Sequence, residues 1–293
     1  MLDNKLNAVL ALGYFDSVHR GHQKVINTAR KCANDFGCAL VVFTFDDNLK
    51  AVFSSTDNKM VYVKEERCVL LKKLGADQVV FAPVTKEFLS LSKKEFLDYL
   101  NENFNVHGYV CGSDYRFGEK GSGDAIYLCE YAKQRQQTVL ILDMEIYGEE
   151  KISTSMIKKL LTKGDIEKVN DLLGRPYSVS GEVFEDRKVG KRIGFPTVNI
   201  KLNDSKHRLK DGVYYGMING YKAVINYGAR PTFNLNEKLV EAHLIDFEGD
   251  LYGQNLTVDF YGYIRDIEKF DCVEKLTERL LKDVEYARGR KYD

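Results

Sequence analysis

Two domains of different architecture are predicted: an α/β domain with a doubly wound parallel sheet, then a small antiparallel β-barrel with a C-terminal helix. Three observations predict them. Short apolar runs alternate with helical patterns through the first half of the chain, as β-α units do. After about Ile152 the texture changes to short β-type runs separated by Gly, Asn and Asp, as in small barrels. The length of 293 residues suits two domains at about 150 residues each.

The elements follow in order. Asn7–Tyr14 reads as a buried strand. From His22 the positions Val25, Ile26, Ala29, Cys32, Ala33 and Phe36 recur at helical spacing, and Gly37 caps the end. Ala39–Phe45 is a second strand, Glu65–Leu74 a helix stopped by Gly75, and Gln78–Phe81 a third strand. Ser92 opens a helix that runs through Phe104, with Glu95 at capping-box spacing. His107–Cys111 is a strand, Ala125–Arg135 a helix and Thr138–Leu142 a strand. The ligand crevice of such a sheet lies at the carboxyl ends of its strands. Two short helical patterns follow, Met156–Leu161 and Ile166–Leu173, before Gly174-Arg175-Pro176 breaks the chain. The barrel strands are expected at Tyr177–Phe184, Thr197–Ile200, Val213–Ile218, Ala223–Tyr227, Leu239–Leu244 and Leu256–Tyr263. Cys272–Tyr286 is the closing helix, with Val273, Leu276, Leu280, Leu281 and Val284 on its apolar face. The expected boundaries are residues 1–158 for the first domain, 159–175 for a helical linker and 176–293 for the second domain.

Composition excludes several classes. Forty-three Lys and Arg balance 43 Asp and Glu, and 44% of residues are apolar. Disorder needs low hydrophobicity with high net charge, and a general nucleic-acid binder carries a basic excess. No apolar run reaches the roughly 18 residues that span a bilayer. The N-terminus lacks the pattern of a secretory signal. The six Cys include no C-x-x-C pair, and a chain of this size needs no disulfide staples. The expectation is a reduced cytoplasmic protein, without nucleic-acid or membrane partners, monomeric or a weak homo-oligomer.

The first chemical constellation is Gly13-Tyr-Phe-Asp-Ser-Val-His-Arg-Gly-His22. A strand runs into a turn and then a helix, whose N-terminus offers free N–H groups and a positive dipole end. His19 and His22 add two side-chain donors, and Gly21 permits close backbone approach. This suits a nucleotide triphosphate. A plain helix entry with two half-exposed histidines is the alternative. A zinc site is not indicated by this spacing, and the chain has no G-x-x-x-x-G-K-[ST] loop.

Gly13–His22 resembles the G-x-F-D-G-x-H-x-G-H motif of the bacterial flavin adenylyltransferases, within the nucleotidyltransferase superfamily. Val110-Cys-Gly-Ser-Asp-Tyr-Arg-Phe-Gly118 resembles that family's G-x-D-F-x-F-G loop. Lys151-Ile-Ser-Thr-Ser-Met-Ile-Lys158 resembles its I-S-S-T-x-I-R segment, and Leu172-Leu-Gly-Arg-Pro-Tyr177 its junction into a second domain. Four ordered motifs identify a resemblance to the prokaryotic bifunctional riboflavin kinase/FAD synthetase family over nearly the whole chain. The reaction implied for the first domain is FMN + ATP giving FAD + pyrophosphate. By this match Gly13, Phe15, Asp16 and Gly21 belong to the nucleotide site with His19 and His22. Ser153, Thr154 and Ser155 line the phosphate side with Lys158, and Asp114 and Phe117 help hold flavin or nucleotide. For the Ser/Thr cluster, helix N-capping is the alternative. Ser17 stands where the family usually has Gly, and Met156 and Lys158 where Arg is common.

The second constellation is Gly190-Lys-Arg-Ile-Gly-Phe-Pro-Thr-Val-Asn199, followed by Glu241. Gly190 and Gly194 flank two cations, and Pro196 stiffens the entry to a strand. Thr197 and Asn199 are two apart, so they share a strand face. Their oxygens can meet Mg²⁺, which takes hard oxygen ligands. An ordinary hairpin with a glycine turn is the alternative. Glu241 and His243 share one face of a later strand, where Glu241 is a general-base candidate or a solvent-facing carboxylate. The segment resembles the G-x-x-x-G-x-P-T-x-N motif of riboflavin kinases. Gly212–Gly216, Asn226–Phe233, Glu241–Phe247 and Asp250–Gly253 follow in that family's order. The resemblance implies that Thr197 and Asn199 bind Mg-ATP and that Glu241 is the base. Lys188, Lys191 and Arg192 cover the phosphates or simply solvate the loop.

The implied whole is an enzyme that uses ATP twice, converting riboflavin to FMN and FMN to FAD. One alternative is a riboflavin kinase with a weakened or inactive adenylyltransferase domain. Another is a flavin-storing or flavin-sensing protein on the same scaffold.

Overall fold

The computed structural model describes residues 5–46, 59–184, 195–229 and 238–292. The chain divides into two compact units, Met1–Thr154 and Ser155–Asp293.

The first unit is a doubly wound α/β fold. Its strands are β1 (Leu6–Leu12), β2 (Ala39–Phe45), β3 (Gln78–Ala82), β4 (Phe104–Gly112) and β5 (Thr138–Leu142). They form one parallel sheet in the order β3-β2-β1-β4-β5. The helices are α1 (Arg20–Asp35), α2 (Lys64–Lys73), the single turn α3 (Lys86–Leu89), α4 (Lys93–Asn103) and α5 (Ala125–Lys133). Side chains of a strand alternate between faces, and β1 divides its residues accordingly. Ala8, Leu10 and Leu12 enter one core with Phe96, Leu97 and Leu100 of α4 and Leu128 and Ala132 of α5. Val9 and Ala11 enter the other with Val25, Ile26 and Ala29 of α1 and Leu71 of α2. A small hairpin, β6 (Ile146–Tyr147) and β7 (Glu150–Lys151), follows β5.

Two of the boundaries that differ from the sequence reading do so for evident local reasons. The first strand ends at Leu12 rather than Tyr14, because the chain turns at Gly13. The ring of Phe15 folds back there, so a Cβ on Gly13 would lie 2.7 Å from it. The fourth strand starts at Phe104 rather than His107. Helix α4 passes into it without a loop, and the C-cap residue Phe104 is already extended. The predicted capping box is present: Ser92 Oγ accepts from the Glu95 N–H at 3.2 Å, and Glu95 accepts from the Ser92 N–H at 2.8 Å.

The second unit begins with the body of α6 (Thr154–Lys163) and with α7 (Ile166–Leu173). Strands β8 (Tyr177–Phe184), β9 (Val198–Lys201), β10 (Gly212–Ile218), β11 (Tyr221–Ala229), β12 (Lys238–Leu244) and β13 (Asn255–Arg265) close a barrel in the order β10-β11-β12-β9-β8-β13. The six predicted strands are these six. All the described pairings are antiparallel. An aromatic cluster packs around Phe260, with Tyr177, Tyr214 and Tyr227 at centroid distances of 6.0, 5.4 and 6.4 Å.

The closing helix is α8 (Val273–Arg288). Its packed face is rotated from the one expected: Leu276, Leu280 and Val284 are half-buried as predicted, but two of the five predicted residues are not. Val273 and Leu281 are each 54% exposed, whereas Ala287 and Asp283 are buried. Ala287 and Val284 pack against Val213, Tyr215 and Val224 on the outer wall. Asp283 instead receives Arg265 of β13, with Nε contacts of 3.1 Å and an Nη2 contact of 2.7 Å. The buried ion pair fixes the helix rotation that apolar spacing alone misplaced.

Candidate functional site

The first unit carries a cleft of about 310 Å³ at the carboxyl ends of β1, β4 and β5, where Leu12, Gly112 and Leu142 line it. Its location follows from topology. β1 is central, and the chain leaves it toward β2 on one side while β4 pairs on the other, which opens a crevice at the switch point. Of the predicted residues, Gly13, Phe15, His19, Gly21, His22, Asp114, Ser153 and Thr154 line this cleft.

The loop between β1 and α1 is held in an unusual conformation. Phe15 and Val18 have φ of +45° and +46°, a region that branched side chains avoid. Three interactions brace it. The Tyr14 carbonyl accepts from Thr44 Oγ1 at 2.7 Å and from the buried Arg67 guanidinium at 3.4 Å. The Asp16 carboxylate accepts from the Val61 N–H at 2.7 Å. His19 then caps α1: its Nδ1 accepts from the His22 N–H at 3.2 Å. That bond leaves Nε2 as the nitrogen that donates. The His19 and His22 rings stack at 3.7 Å with an interplanar angle of 12°. A Cβ on Gly21 would approach the His19 ring to 3.2 Å, a tight contact that the glycine avoids.

Two predicted residues, Asp16 and Phe117, are in the first unit but do not line the cleft, and two, Ser155 and Lys158, belong to the second unit. Asp16 is fully buried and braces the loop. Phe117 is in the core, 5.4 Å from Phe96, and Tyr115, two residues earlier, faces the cleft in its place. Burial pushes the Tyr115 hydroxyl above its ordinary range, so it presents a neutral ring. Ser155 is exposed, and the Lys158 carbonyl accepts from Thr162 Oγ1 at 2.9 Å and His207 Nε2 at 3.1 Å.

Sequence reasoning missed several lining residues. Lys151 pairs with Asp114 at 2.5 Å, and Glu145, also on the cleft, pairs with Lys24 at 3.2 Å. Lys151 was legible as the residue before the Ile-Ser-Thr-Ser run. Nothing local marks Arg67 or Val61, which act from a distant helix and its approach.

On the barrel, β9 and β12 place Asn199 directly across from Glu241. Thr197 lies two residues before Asn199 and donates from Oγ1 to Glu241 Oε1 at 3.0 Å. Asn199 is 5% exposed. Pro196 is exposed, and its carbonyl accepts from His243 Nδ1 at 2.9 Å. His243 also meets the Phe195 ring edge-on at 5.3 Å. The predicted sharing of one face by Glu241 and His243 thus gathers both around the Phe195–Thr197 segment. Gly190 and Gly194, with Lys188, Lys191 and Arg192, lie outside the described residues.

Comparison with known proteins gives the same two halves. The FAD synthetase family model matches residues 2–156, and the riboflavin kinase model matches residues 173–290. A bifunctional riboflavin kinase/FMN adenylyltransferase of Listeria monocytogenes is 35% identical over 97% of this chain and 92% of its own. The Bacillus subtilis protein of the same name is 34% identical over 97% and 93%. A solved structure from Streptococcus pneumoniae, titled a macrolide-efflux protein, superposes with a TM-score of 0.88 at 30% identity. It covers 98% of this chain and 95% of its own. Among the described residues of this chain no helix is long and apolar enough to cross a membrane.

Proposed function

The chain belongs to the bifunctional riboflavin kinase/FMN adenylyltransferase family, and from that premise we infer how its two sites divide the work. The protein phosphorylates riboflavin to FMN and adenylylates FMN to FAD, with ATP as co-substrate in both steps. The observation that carries this is the presence of both family halves, each on a unit with its own polar site. A kinase with an inactive partner domain is not favoured, because the strained loop, the histidine pair and the cleft are all built.

In the first unit the nucleophile is an FMN phosphate oxygen, already ionised at neutral pH. It attacks the α-phosphorus of ATP. The bond from that phosphorus to the bridging oxygen breaks, and its electron pair leaves with pyrophosphate. No general base is needed, so rate comes from alignment and charge stabilisation. His19 Nε2, His22 and the N-terminal amides of α1 are assigned to the phosphates. Asp114 with Lys151, and Ser153 with Thr154, line the same cleft.

In the second unit the nucleophile is the ribityl 5′-hydroxyl, which holds its proton at neutral pH. Glu241 takes that proton as the oxygen attacks the γ-phosphorus, and ADP leaves. Thr197, bonded to Glu241, orients the carboxylate. The donor set fits Mg²⁺: the Thr197 hydroxyl and Asn199 amide are hard oxygen donors on one strand face. The ion, when bound, neutralises phosphate charge. We also read the protein as cytoplasmic, consistent with six free cysteines.

The test is a chromatographic flavin assay with ATP and Mg²⁺, run once on riboflavin and once on FMN. FMN then FAD from riboflavin, and FAD from FMN, are expected. FMN from riboflavin with no FAD from either substrate would overturn the assignment of the first unit.

A further inference from the structure

Ser17 is fully buried. Its hydroxyl lies 3.0 Å from the hydroxyl of Thr154, a residue 137 positions away. Thr154 lines the cleft; Ser17 stands behind it. The position of Ser17 is fixed by its neighbours, since it sits between the two residues of positive φ, Phe15 and Val18. The contact therefore joins the braced loop to the Ser153–Thr154 segment that lines the same cleft.

A hydroxyl has one proton to donate and two lone pairs to accept with. When Ser17 donates to Thr154, the Thr154 proton is turned away from Ser17 and is available to the cleft. When Thr154 donates to Ser17, the cleft is offered only lone pairs. An anionic occupant selects the first arrangement, and hydrogen bonds to charged groups are the stronger ones. We propose that Ser17 is a positioning residue for adenylylation: its hydroxyl donates to Thr154 Oγ1 and aims the Thr154 proton at a phosphate oxygen of the bound nucleoside triphosphate. The residue makes no contact with substrate. It acts through Thr154 and preorganises a donor that otherwise rotates freely about its C–O bond. The inference rests on the reading of the first unit as the adenylylating one.

The experiment is a double-mutant cycle on the full chain, following the ATP dependence of FAD formation from FMN. Ser17→Ala is expected to lower kcat/KM for ATP about tenfold, and Thr154→Val by at least as much. The double variant should be no worse than Thr154→Val alone, because Ser17 has nothing left to orient. Thr154→Ser, which keeps the hydroxyl, should lose less than Thr154→Val. KM for FMN, and riboflavin phosphorylation by the same preparations, should stay within about twofold of the parent. A purely structural role for Ser17 would instead raise KM for FMN together with that for ATP and lower the thermal midpoint of the first unit. Parent-like kcat/KM in Ser17→Ala, or losses that multiply in the double variant, overturn the proposal while leaving the reading of the unit intact. A parent protein that forms no FAD from FMN overturns both.

Discussion

Val18 is the residue at which local preference is most plainly overridden. A β-branched side chain at φ +46° costs on the order of 1–3 kcal/mol, and nothing in the sequence announces it. The compensation comes from residues far along the chain: Thr44 and Arg67 on the Tyr14 carbonyl, and the Val61 N–H on Asp16. The motif was readable, but the reason for Asp16 was not, since a carboxylate in a phosphate loop looks like a ligand-facing group until its burial is seen. At this scale the division of labour is testable. Glu241→Gln should abolish FMN formation from riboflavin and leave FAD formation from FMN at the parent rate. His22→Ala should do the converse, with FAD formation falling about tenfold or more on loss of a phosphate donor. Both activities are read by separating flavins, and a folded variant that loses both would contradict the assignment.

Helices α4 and α8 show how polar groups decide packing between elements. Asp98 of α4 receives Lys94 at 2.5 Å and the Tyr131 hydroxyl of α5 at 2.7 Å. The Lys94 bond and, against some burial, the Tyr131 bond hold its carboxyl below the ordinary value of 3.8. A depressed carboxylate stabilises the fold above its unfolded pKa and loses that contribution as pH falls through the folded one. Asp98→Asn should therefore cost about 1 kcal/mol at pH 7. Its thermal midpoint should converge on the parent's as the pH falls below about 4. In the second unit Asp283 is 2% exposed and Arg265 10%. Asp283→Ala strands a buried guanidinium and should cost about 3–5 kcal/mol by denaturant unfolding, whereas the double variant Arg265→Met/Asp283→Leu should recover most of it. The i, i+4 row Leu276, Leu280, Val284 was legible as a helix stripe. Its exact rotation was not, because a lone Asp at helical spacing reads as solvent-facing.

At the scale of the whole molecule, the place where the chain divides differs between sequence and structure. The break at Gly174-Arg175-Pro176 is conspicuous, and it suggests a barrel domain starting at 176. Yet Ile166, Val169, Leu172 and Leu173 of α7 are all fully buried. Asn170 of the same helix accepts from the Tyr177 N–H at 2.7 Å and donates to the Phe260 carbonyl at 2.9 Å. We therefore expect residues 155–293, expressed alone, to give a soluble kinase. Residues 176–293 should unfold at markedly lower denaturant or fail to fold, since each buried Leu or Ile lost removes roughly 2 kcal/mol. Equal stability of the two fragments by urea titration would show that α7 is dispensable. The sequence by itself determined the two architectures, the order of strands and helices, and the two motif clusters. Alternation, capping residues and turn residues are local signals written within a few positions of one another. Tertiary structure alone decided which motif residues reach a cleft, which brace it from behind, and which helix face is packed. Those choices depend on partners such as Ser17 and Thr154, or Arg265 and Asp283, whose meeting is set by the packing of the whole chain and not by any stretch of it.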